Sequence, residues 1–340
     1  MFPSSEQIIK GIRNPRAAIE YLIKPKSRYR NGVVAATSKV PLGTSIFNRD
    51  WDLCIILDTC RVDAIRQVAD EYSYIDDVDR IVSVGGSSPE WMAHTFDTKW
   101  RDTLQETAYL TSNAWIDKVL NDRLQPSDKY YDFRILASLR EFGDWDLVQT
   151  DQVGRLERIW KYVPEEETVG EEHDPRGLLQ GGSPPRYVTD RAIAVGREFE
   201  YDRLILHYMQ PHAPYTGALR EERELKSFYK DPFTFLQETG NKKRVWNAYL
   251  DELRYVLDDL EILLSNIDAE KVVISADHGE AFGEYSIYNH HSGSLHPKVR
   301  SVPWIVTSAT DTESYSSQIE PIPQNNISVE NNLEALGYKM

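Results

Sequence analysis

Three side chains able to bind a metal ion or a proton stand close together at Asp277, His278 and Glu280. They directly follow an apolar run from Val272 to Ile274, which is β-branched, is bounded by polar residues and predicts a buried strand. A carboxylate and an imidazole at the end of a strand supply the oxygen and nitrogen ligands of a metal site on a stiff scaffold. A helix cap beside a solvated imidazole is an equally open interpretation of the same residues.

Four further polar residues each follow a different strand candidate: Asp58 after Trp51–Leu57, Ser87 after Arg80–Val84, Asn113 after Ala108–Thr111, and His212 after Arg203–Tyr208. Helical patterns lie between these runs, at residues 61–72 and at about 244–266. Strands that alternate with helices predict an α/β fold with a mostly parallel central sheet and helices on both faces. Because ligands of such sheets bind outside the carboxyl ends of the strands, we expect Asp58, Ser87, His212 and the Asp277-His278 pair to converge on one edge.

The composition restricts the class of protein. The chain has 340 residues, 41% of them hydrophobic, and a net charge of −15. It can therefore bury a sizeable core, and its charge disfavours binding to nucleic acid. No window has the roughly 18 uncharged apolar residues of a transmembrane helix, and the N-terminus lacks a secretory signal pattern. Cys54 lies in an apolar run and Cys60 just beyond it, which favours free thiols in a reducing, cytoplasmic compartment.

The chain divides into three parts in this interpretation. Residues 1–50 are expected to form an N-terminal helical arm and loop, residues 51–310 the catalytic core, and residues 311–340 a tail with a short helix. The arm is locally basic and weakly amphipathic, so we expect it to pack on the core, with peripheral contact to a partner or membrane surface as the alternative. Residues 114–200, with a Gly/Pro-rich loop at 177–185, are interpreted as a peripheral insert or lid.

Several short motifs occur in a fixed order: residues 57–63 (LDTCRVD), Ser87-Ser88-Pro89, His207 to Tyr215, Ser275 to Glu284, Val302-Pro303-Trp304, and residues 333–338. Together they resemble the sulfatase-like branch of the alkaline phosphatase superfamily over roughly residues 50–340. The resemblance implies an alkaline-phosphatase-like α/β sandwich and an enzyme that acts on a sulfate or phosphate ester.

The resemblance also implies roles for individual residues. The metal ligands would be Asp58, Asp277 and His278, and one divalent ion is expected. Oxygen-rich ligation favours Ca or Mg, whereas the imidazole leaves Zn or Mn open. The catalytic residues would be Ser87 as the nucleophile and His212 as a contact to the ester oxygens or the leaving group.

Two further residues are expected to contact the substrate. The resemblance assigns His291 this position, in competition with His290. Asn113 follows its own strand candidate and is predicted to contact the substrate, with a simple turn residue as the alternative.

Departures from the family pattern restrict the reaction. Sulfatases convert a Cys or Ser in a C/S-x-P-x-R segment into formylglycine, but Trp91 stands where the arginine is expected. Leu57 replaces the first Asp of a common Asp-Asp pair, and Tyr208 replaces an Asp of the two-metal enzymes, which favours one metal ion. We predict a metal-dependent hydrolase of sulfate esters on a small molecule or glycan. The alternatives are a phosphatase, phosphodiesterase or phosphotransferase that uses unmodified Ser87, and a non-catalytic metal-binding relative.

Overall fold

The computed structural model describes residues 25–125, 134–162, 183–199, 201–217 and 227–320. Three predicted features therefore lie outside the described residues, wholly or in large part. These are the N-terminal arm up to residue 24, most of the Gly/Pro-rich loop at 177–185, and the motif at 333–338 with the predicted tail helix.

A seven-stranded sheet forms the centre of the described structure. Its strands are β1 Leu53–Leu57, β2 Asp79–Val82, β3 Thr107–Thr111, β4 Arg155–Arg158, β5 Arg203–Tyr208, β6 Ala269–Ser275 and β9 Ser301–Ala309. They lie in the order β2-β9-β6-β1-β5-β3-β4, and all pairs are parallel except those of β9 with β6 and with β2. Helices pack around this sheet. The predicted mostly parallel α/β architecture is confirmed.

A small second ladder lies between β6 and β9 in the chain. It pairs β7 Ala281–Phe282 with β8 Tyr288–Asn289 in antiparallel orientation. This ladder joins the two ends of the loop that runs from the acidic residues after β6 to the histidine pair at residues 290–291.

Strand β1 lies at the middle of the sheet because its sequence, LCIIL, has no polar position. All five of its residues are buried, as expected for a parallel strand that is covered on both faces. Its register places Ile56 beside His207 of β5 on one side and beside Ser275 of β6 on the other. This pairing brings the carboxyl ends of three strands to one point. Cys54 in this strand and the nearby Cys60 are both buried free thiols.

The α-helices of the described residues are α1 Pro25–Thr37, α2 Val62–Val68, α3 Ser88–Thr95, α4 Arg101–Gln105, α5 Arg134–Phe142, α6 Pro185–Glu198, α7 Ser227–Lys230, α8 Pro232–Thr239, α9 Lys242–Leu264 and α10 Pro297–Arg300. The long helix α9 matches the helical pattern at about 244–266. It begins after Asn241, whose side chain accepts a hydrogen bond from the backbone N–H of Arg244. Its apolar residues, three or four positions apart, face α6 and the sheet.

One strand has no counterpart among the sequence predictions. Strand β4 has the sequence RLER, which contains a single apolar residue and therefore shows no buried-strand pattern. It forms at the edge of the sheet because its charged side chains find partners. Glu157, 5% exposed, accepts hydrogen bonds from Arg155 at 2.6 Å and from Arg191 at 3.0 and 3.1 Å. Among the described helices, none is both long enough and apolar enough to span a membrane.

Candidate metal centre and active site

The carboxyl ends of β1, β5 and β6 bring four ionisable side chains together. Asp58 directly follows β1, Asp277 and His278 follow β6, and His207 is the penultimate residue of β5. All four side chains are fully buried. Parallel strands end on the same edge of a sheet, so residues more than 200 positions apart meet at this point.

The distances define a compact cluster of oxygen and nitrogen atoms. His207 Nε2 lies 3.8 Å from Asp58 Oδ2 and 3.7 Å from Asp277 Oδ2. His278 Nε2 lies 3.7 Å from Asp58 Oδ1 and 3.3 Å from Asp277 Oδ2. One ligand atom from each of Asp58, His207 and Asp277 lies within 4.8 Å of the others, a spacing that a single metal ion can bridge.

Each carboxylate has one oxygen held by the protein and one that points into the cluster. Asp58 Oδ2 accepts hydrogen bonds from Asn113 Nδ2 at 2.7 Å and from Ser88 Oγ at 3.0 Å. Asp277 Oδ1 accepts hydrogen bonds from the backbone N–H groups of Thr59 at 3.3 Å and of His278 at 2.8 Å. These hydrogen bonds fix the direction of the inner oxygens but are all accepted by the outer ones.

Those inner atoms lack hydrogen-bond partners within the described part of the chain. They are Asp58 Oδ1, Asp277 Oδ2 and His207 Nε2. Leaving a buried polar atom unpaired costs about 1–3 kcal/mol, so three of them around one point require an explanation. A divalent cation bound between them would satisfy all three. Two carboxylates with imidazole nitrogens form a mixed donor set that suits Zn²⁺ or Mn²⁺.

The electrostatics of Asp58 agree with this interpretation. Burial, followed by the nearby charge of Asp277, raises the pKa of Asp58 well above its usual range. Two carboxylates buried this close together repel each other unless a positive charge lies between them. A bound cation reverses the effect, because it favours the ionised form of both groups.

The backbone after Asp58 is strained in a way that serves the site. Thr59 has a φ of 65°, a left-handed conformation that is rare for a β-branched residue. This conformation directs the Thr59 N–H to Asp277 and its carbonyl to Tyr249, whose hydroxyl donates at 2.7 Å. Helix α9, which carries Tyr249, thus stabilises the turn that links β1 to the cluster.

The two adjacent serines have different environments. Ser88, the first residue of helix α3, donates its hydroxyl hydrogen to Asp58 and lies 3.3 Å from His278 Nε2. Ser87 is hydrogen-bonded instead to Ser292 at 2.7 Å. The structure therefore brings Ser88 to the cluster of Asp58 and His278 and directs the predicted nucleophile, Ser87, away from it. The sequence motif alone does not distinguish these two orientations.

Glu90 holds the serine loop against the histidine loop. One oxygen, Oε2, accepts hydrogen bonds from the backbone N–H of Gly86 at 2.8 Å and from that of Gly293 at 2.9 Å. A Cβ on Gly86 would lie 2.9 Å from the carbonyl oxygen of His291. The two loops therefore approach too closely for any residue other than glycine at position 86.

A second group of imidazoles borders the cluster. The ring centroids of His278 and His290 are 4.3 Å apart, and those of His290 and His212 are 5.3 Å apart. His290 Nδ1 lies 3.1 Å from Glu280 Oε2. Burial raises the pKa of Glu280 well above its usual range and lowers the pKa of His290 well below its own, so burial favours the uncharged form of both partners.

The predicted residues His212 and His291 differ in placement. His212 is buried beside His290, and burial lowers its pKa to about 4, which leaves the ring neutral near pH 7. His291 is exposed at the surface, so the structure brings His290 rather than His291 to the cluster. Asn113, expected at the substrate, is buried and holds Asp58.

His207 begins one of the ordered motifs, but the sequence predicts no role for it. The signal that identifies it is a histidine at the end of the apolar run Leu204-Ile205-Leu206. A histidine that is buried in a strand needs polar partners, and here its partners are the cluster on one side and Tyr109 on the other.

The solved structures that this chain resembles include members of two groups of proteins. The structural neighbours of this chain are sulfatases and phosphoethanolamine transferases. Both groups are members of the alkaline phosphatase superfamily, the superfamily that the sequence motifs resemble. No family model matches the sequence, and no curated protein matches it.

Three of these neighbours illustrate the extent of the likeness. The soluble domain of lipooligosaccharide phosphoethanolamine transferase A from Neisseria meningitidis aligns over 81% of this chain and 82% of its own, with 12% identity and a TM-score of 0.47. A 2-O GAG sulfatase aligns over 80% and 66%, with 13% identity and a TM-score of 0.43. The C-terminal periplasmic domain of EcEptC from Escherichia coli, solved in complex with Zn, aligns over 81% and 77%, with 10% identity and a TM-score of 0.40.

Proposed function

We propose that the protein is a metal-dependent enzyme that cleaves or transfers the phosphoryl group of a phosphate ester through an unmodified serine. The observation that carries this proposal is the position of Ser88. Its hydroxyl lies on the cluster of Asp58 and His278, buried and oriented by a carboxylate. A serine hydroxyl is a weak nucleophile unless a base or a metal ion activates it.

The proposed metal ligands are Asp58, Asp277, His278 and His207. A divalent cation held by them would neutralise the charge of the ester and favour ionisation of a nearby hydroxyl. Asn113 and the backbone of Thr59 keep the two carboxylates in position. Because these anchors are themselves buried, the cluster is preorganised before the substrate arrives.

The remaining residues supply positioning and proton transfer. Ser88 begins helix α3, so its oxygen lies at the positive end of that helix, where an anionic ester is also stabilised. Asp58 accepts the hydroxyl hydrogen of Ser88 and thereby orients the oxygen. His212, buried beside His290 and neutral near pH 7, is assigned the contact with the ester oxygens or the leaving group that its motif implies.

Sulfate ester hydrolysis is the second candidate, because the resemblance of the motifs predicts it. The structure gives a reason to rank it lower. Trp91 stands where the formylglycine segment has an arginine, and its indole is buried against His207. No guanidinium group is present at that position to bind a sulfate or to take part in the modification motif.

A single set of assays tests the proposal. Metal-stripped protein is supplied with each divalent ion in turn and assayed on an aryl phosphate, a bis-aryl phosphate and an aryl sulfate. We expect Zn²⁺ or Mn²⁺ to restore phosphate ester turnover. We expect Ser88→Ala to reduce it to the buffer level and Ser87→Ala, the matched control, to retain most of it.

Other outcomes would contradict specific parts of the proposal. Loss of turnover in Ser87→Ala but not in Ser88→Ala would identify Ser87 as the nucleophile. Turnover of the aryl sulfate alone, with formylglycine detected by mass spectrometry of the serine peptide, would establish a sulfatase. Tight metal binding without turnover of any ester would favour a non-catalytic binding protein.

A further inference from the structure

His207 is held in place by two residues that the proposed mechanism does not use. The hydroxyl of Tyr109 lies 2.7 Å from His207 Nδ1. The indole of Trp91 packs edge-on against the imidazole, with 5.5 Å between ring centroids and an interplanar angle of 76°. All three side chains are buried, so the imidazole ring is fixed in position and in rotation.

The sheet itself produces the contact between Tyr109 and His207. Strands β3 and β5 are parallel neighbours, and their register pairs Tyr109 with Ile205 and Thr111 with His207. Side chains two positions apart on a strand lie on the same face. Tyr109 and His207 are therefore diagonal neighbours on one face, a separation that a tyrosine side chain spans.

The other nitrogen of His207 faces the metal cluster. Nε2 lies 3.8 Å from Asp58 Oδ2 and 3.7 Å from Asp277 Oδ2, and it has no hydrogen-bond partner within the described ranges. A histidine nitrogen binds a metal ion through its lone pair, so a liganding Nε2 carries no proton. The proton of the neutral ring is then on Nδ1, and Nδ1–H donates to the oxygen of Tyr109.

We propose that Tyr109 is a positioning residue of the metal centre, which fixes the Nδ1–H tautomer and the orientation of His207 so that Nε2 serves as a metal ligand. This inference rests on the proposed function only for the presence of a metal ion. It explains how His207 becomes available as the second imidazole ligand beside His278. A set of two imidazoles and two carboxylates selects Zn²⁺ or Mn²⁺ over Mg²⁺ and Ca²⁺, which prefer oxygen ligands alone.

The test uses Tyr109→Phe in the full chain, with Tyr208→Phe as the matched control. Tyr208 is also fully buried and is the residue after His207, but its hydroxyl bonds to Thr189 at 3.0 Å, away from the cluster. Each protein is stripped with a chelator, and its Zn²⁺ affinity is measured by competition with a chromophoric chelator. Loss of the hydrogen-bond partner of a metal-binding histidine weakens affinity by about 10–100-fold. We expect that loss in Tyr109→Phe and an unchanged affinity in Tyr208→Phe.

A second measurement needs no substitution at Tyr109. In Zn²⁺-loaded protein with ¹⁵N-labelled histidine, long-range proton–nitrogen correlation reports which ring nitrogen carries the proton. A spectrum of His207→Gln assigns the His207 signals. We expect the proton of His207 on Nδ1 and a metal-bound Nε2.

Three results would overturn the inference: wild-type Zn²⁺ affinity in Tyr109→Phe, a proton on Nε2 in the loaded protein, or no Zn²⁺ binding by the unaltered protein. None of these measurements depends on turnover. A protein that binds Zn²⁺ through His207 and acts on no ester would therefore refute the proposed function and leave this inference standing.

Discussion

Replacing Asp58 with asparagine should change the stability of the protein in opposite directions with and without metal. An asparagine can keep its side-chain oxygen in the place of Oδ2, where it accepts from Ser88 and Asn113. Its amide group then takes the place of Oδ1, the inner atom that has no partner among the described residues, and turns a donor towards His278 Nε2, 3.7 Å from Oδ1, and towards the unpaired Asp277 Oδ2. The substitution removes a buried carboxyl group beside Asp277 while the outer contacts remain.

The magnitude follows from two opposing contributions. In metal-free protein the buried unpaired oxygen destabilises the fold by about 1–3 kcal/mol, so Asp58→Asn should raise the free energy of unfolding by that amount. Zn²⁺ at about 1,000 times its dissociation constant stabilises the wild type by about 4.1 kcal/mol, more than the gain of the variant, and this stabilisation disappears in the variant because a charged ligand is lost. The wild type should therefore be the less stable protein in chelator and the more stable one in Zn²⁺.

Urea unfolding of both proteins, in chelator and in Zn²⁺, measures these differences directly. Asp190→Asn is the control, because Asp190 is equally buried but accepts hydrogen bonds from Tyr315, Gln318 and Ile319. That variant should be destabilised in both conditions. The explanation would be refuted if Asp58→Asn lost stability in chelator, or if it kept the full stabilisation by Zn²⁺.

Three further substitutions have defined outcomes. Burial raises the pKa of Glu252 to about 8, so the folded state binds the proton of this carboxyl group more tightly than the unfolded chain does. The stabilisation from the protonated carboxyl is complete below about pH 4.5 and is lost as the pH rises to 8. Glu252→Gln should flatten the decline of the unfolding free energy with pH over that range. Urea unfolding at several pH values measures this, and a decline equal to that of the wild type would contradict the assignment. Asn113→Ala removes a hydrogen-bond donor to Asp58 and should weaken Zn²⁺ binding by about 10–100-fold without abolishing it. Competition with a chelator measures this affinity, and an unaltered value would assign Asn113 to the substrate or to the turn. Gly293 has a φ of 71°, and a Cβ there would lie 2.4 Å from the carbonyl oxygen of Arg30. Gly293→Ala should therefore destabilise the fold by about 1–3 kcal/mol. A melting temperature equal to that of the wild type would refute this prediction.

The sequence by itself determined the inner strands of the central sheet and the edge that carries the site. The runs at Leu53–Leu57 and Arg203–Tyr208 are largely apolar because parallel strands are buried on both faces. A continuous apolar run can be recognised from the sequence of that segment alone. The polar residue that follows such a run lies at the carboxyl end of its strand. The pattern of runs therefore places Asp58 and Asp277 on the same edge, although it does not determine the order of their strands in the sheet.

Only the tertiary structure decided which member of each adjacent pair faces the cluster. Ser88 rather than Ser87, and His290 rather than His291, contact it, because side-chain direction depends on backbone angles that loops on distant parts of the chain impose. Glu90 shows how this happens, since one of its oxygens fixes two loops that lie about 200 residues apart. Short motifs do not contain that information.

The same reason explains His207 and strand β4. The proposed ligand position of His207 depends on the register between β3, β5 and β1, which brings Tyr109 to one nitrogen and the carboxylates to the other. Strand β4 is stable because Arg191, from another element, pairs with its buried Glu157. Hydrophobic periodicity reports the burial of one segment at a time. Pairing between polar groups that are distant in the sequence is created by the fold, so only the folded structure reveals it.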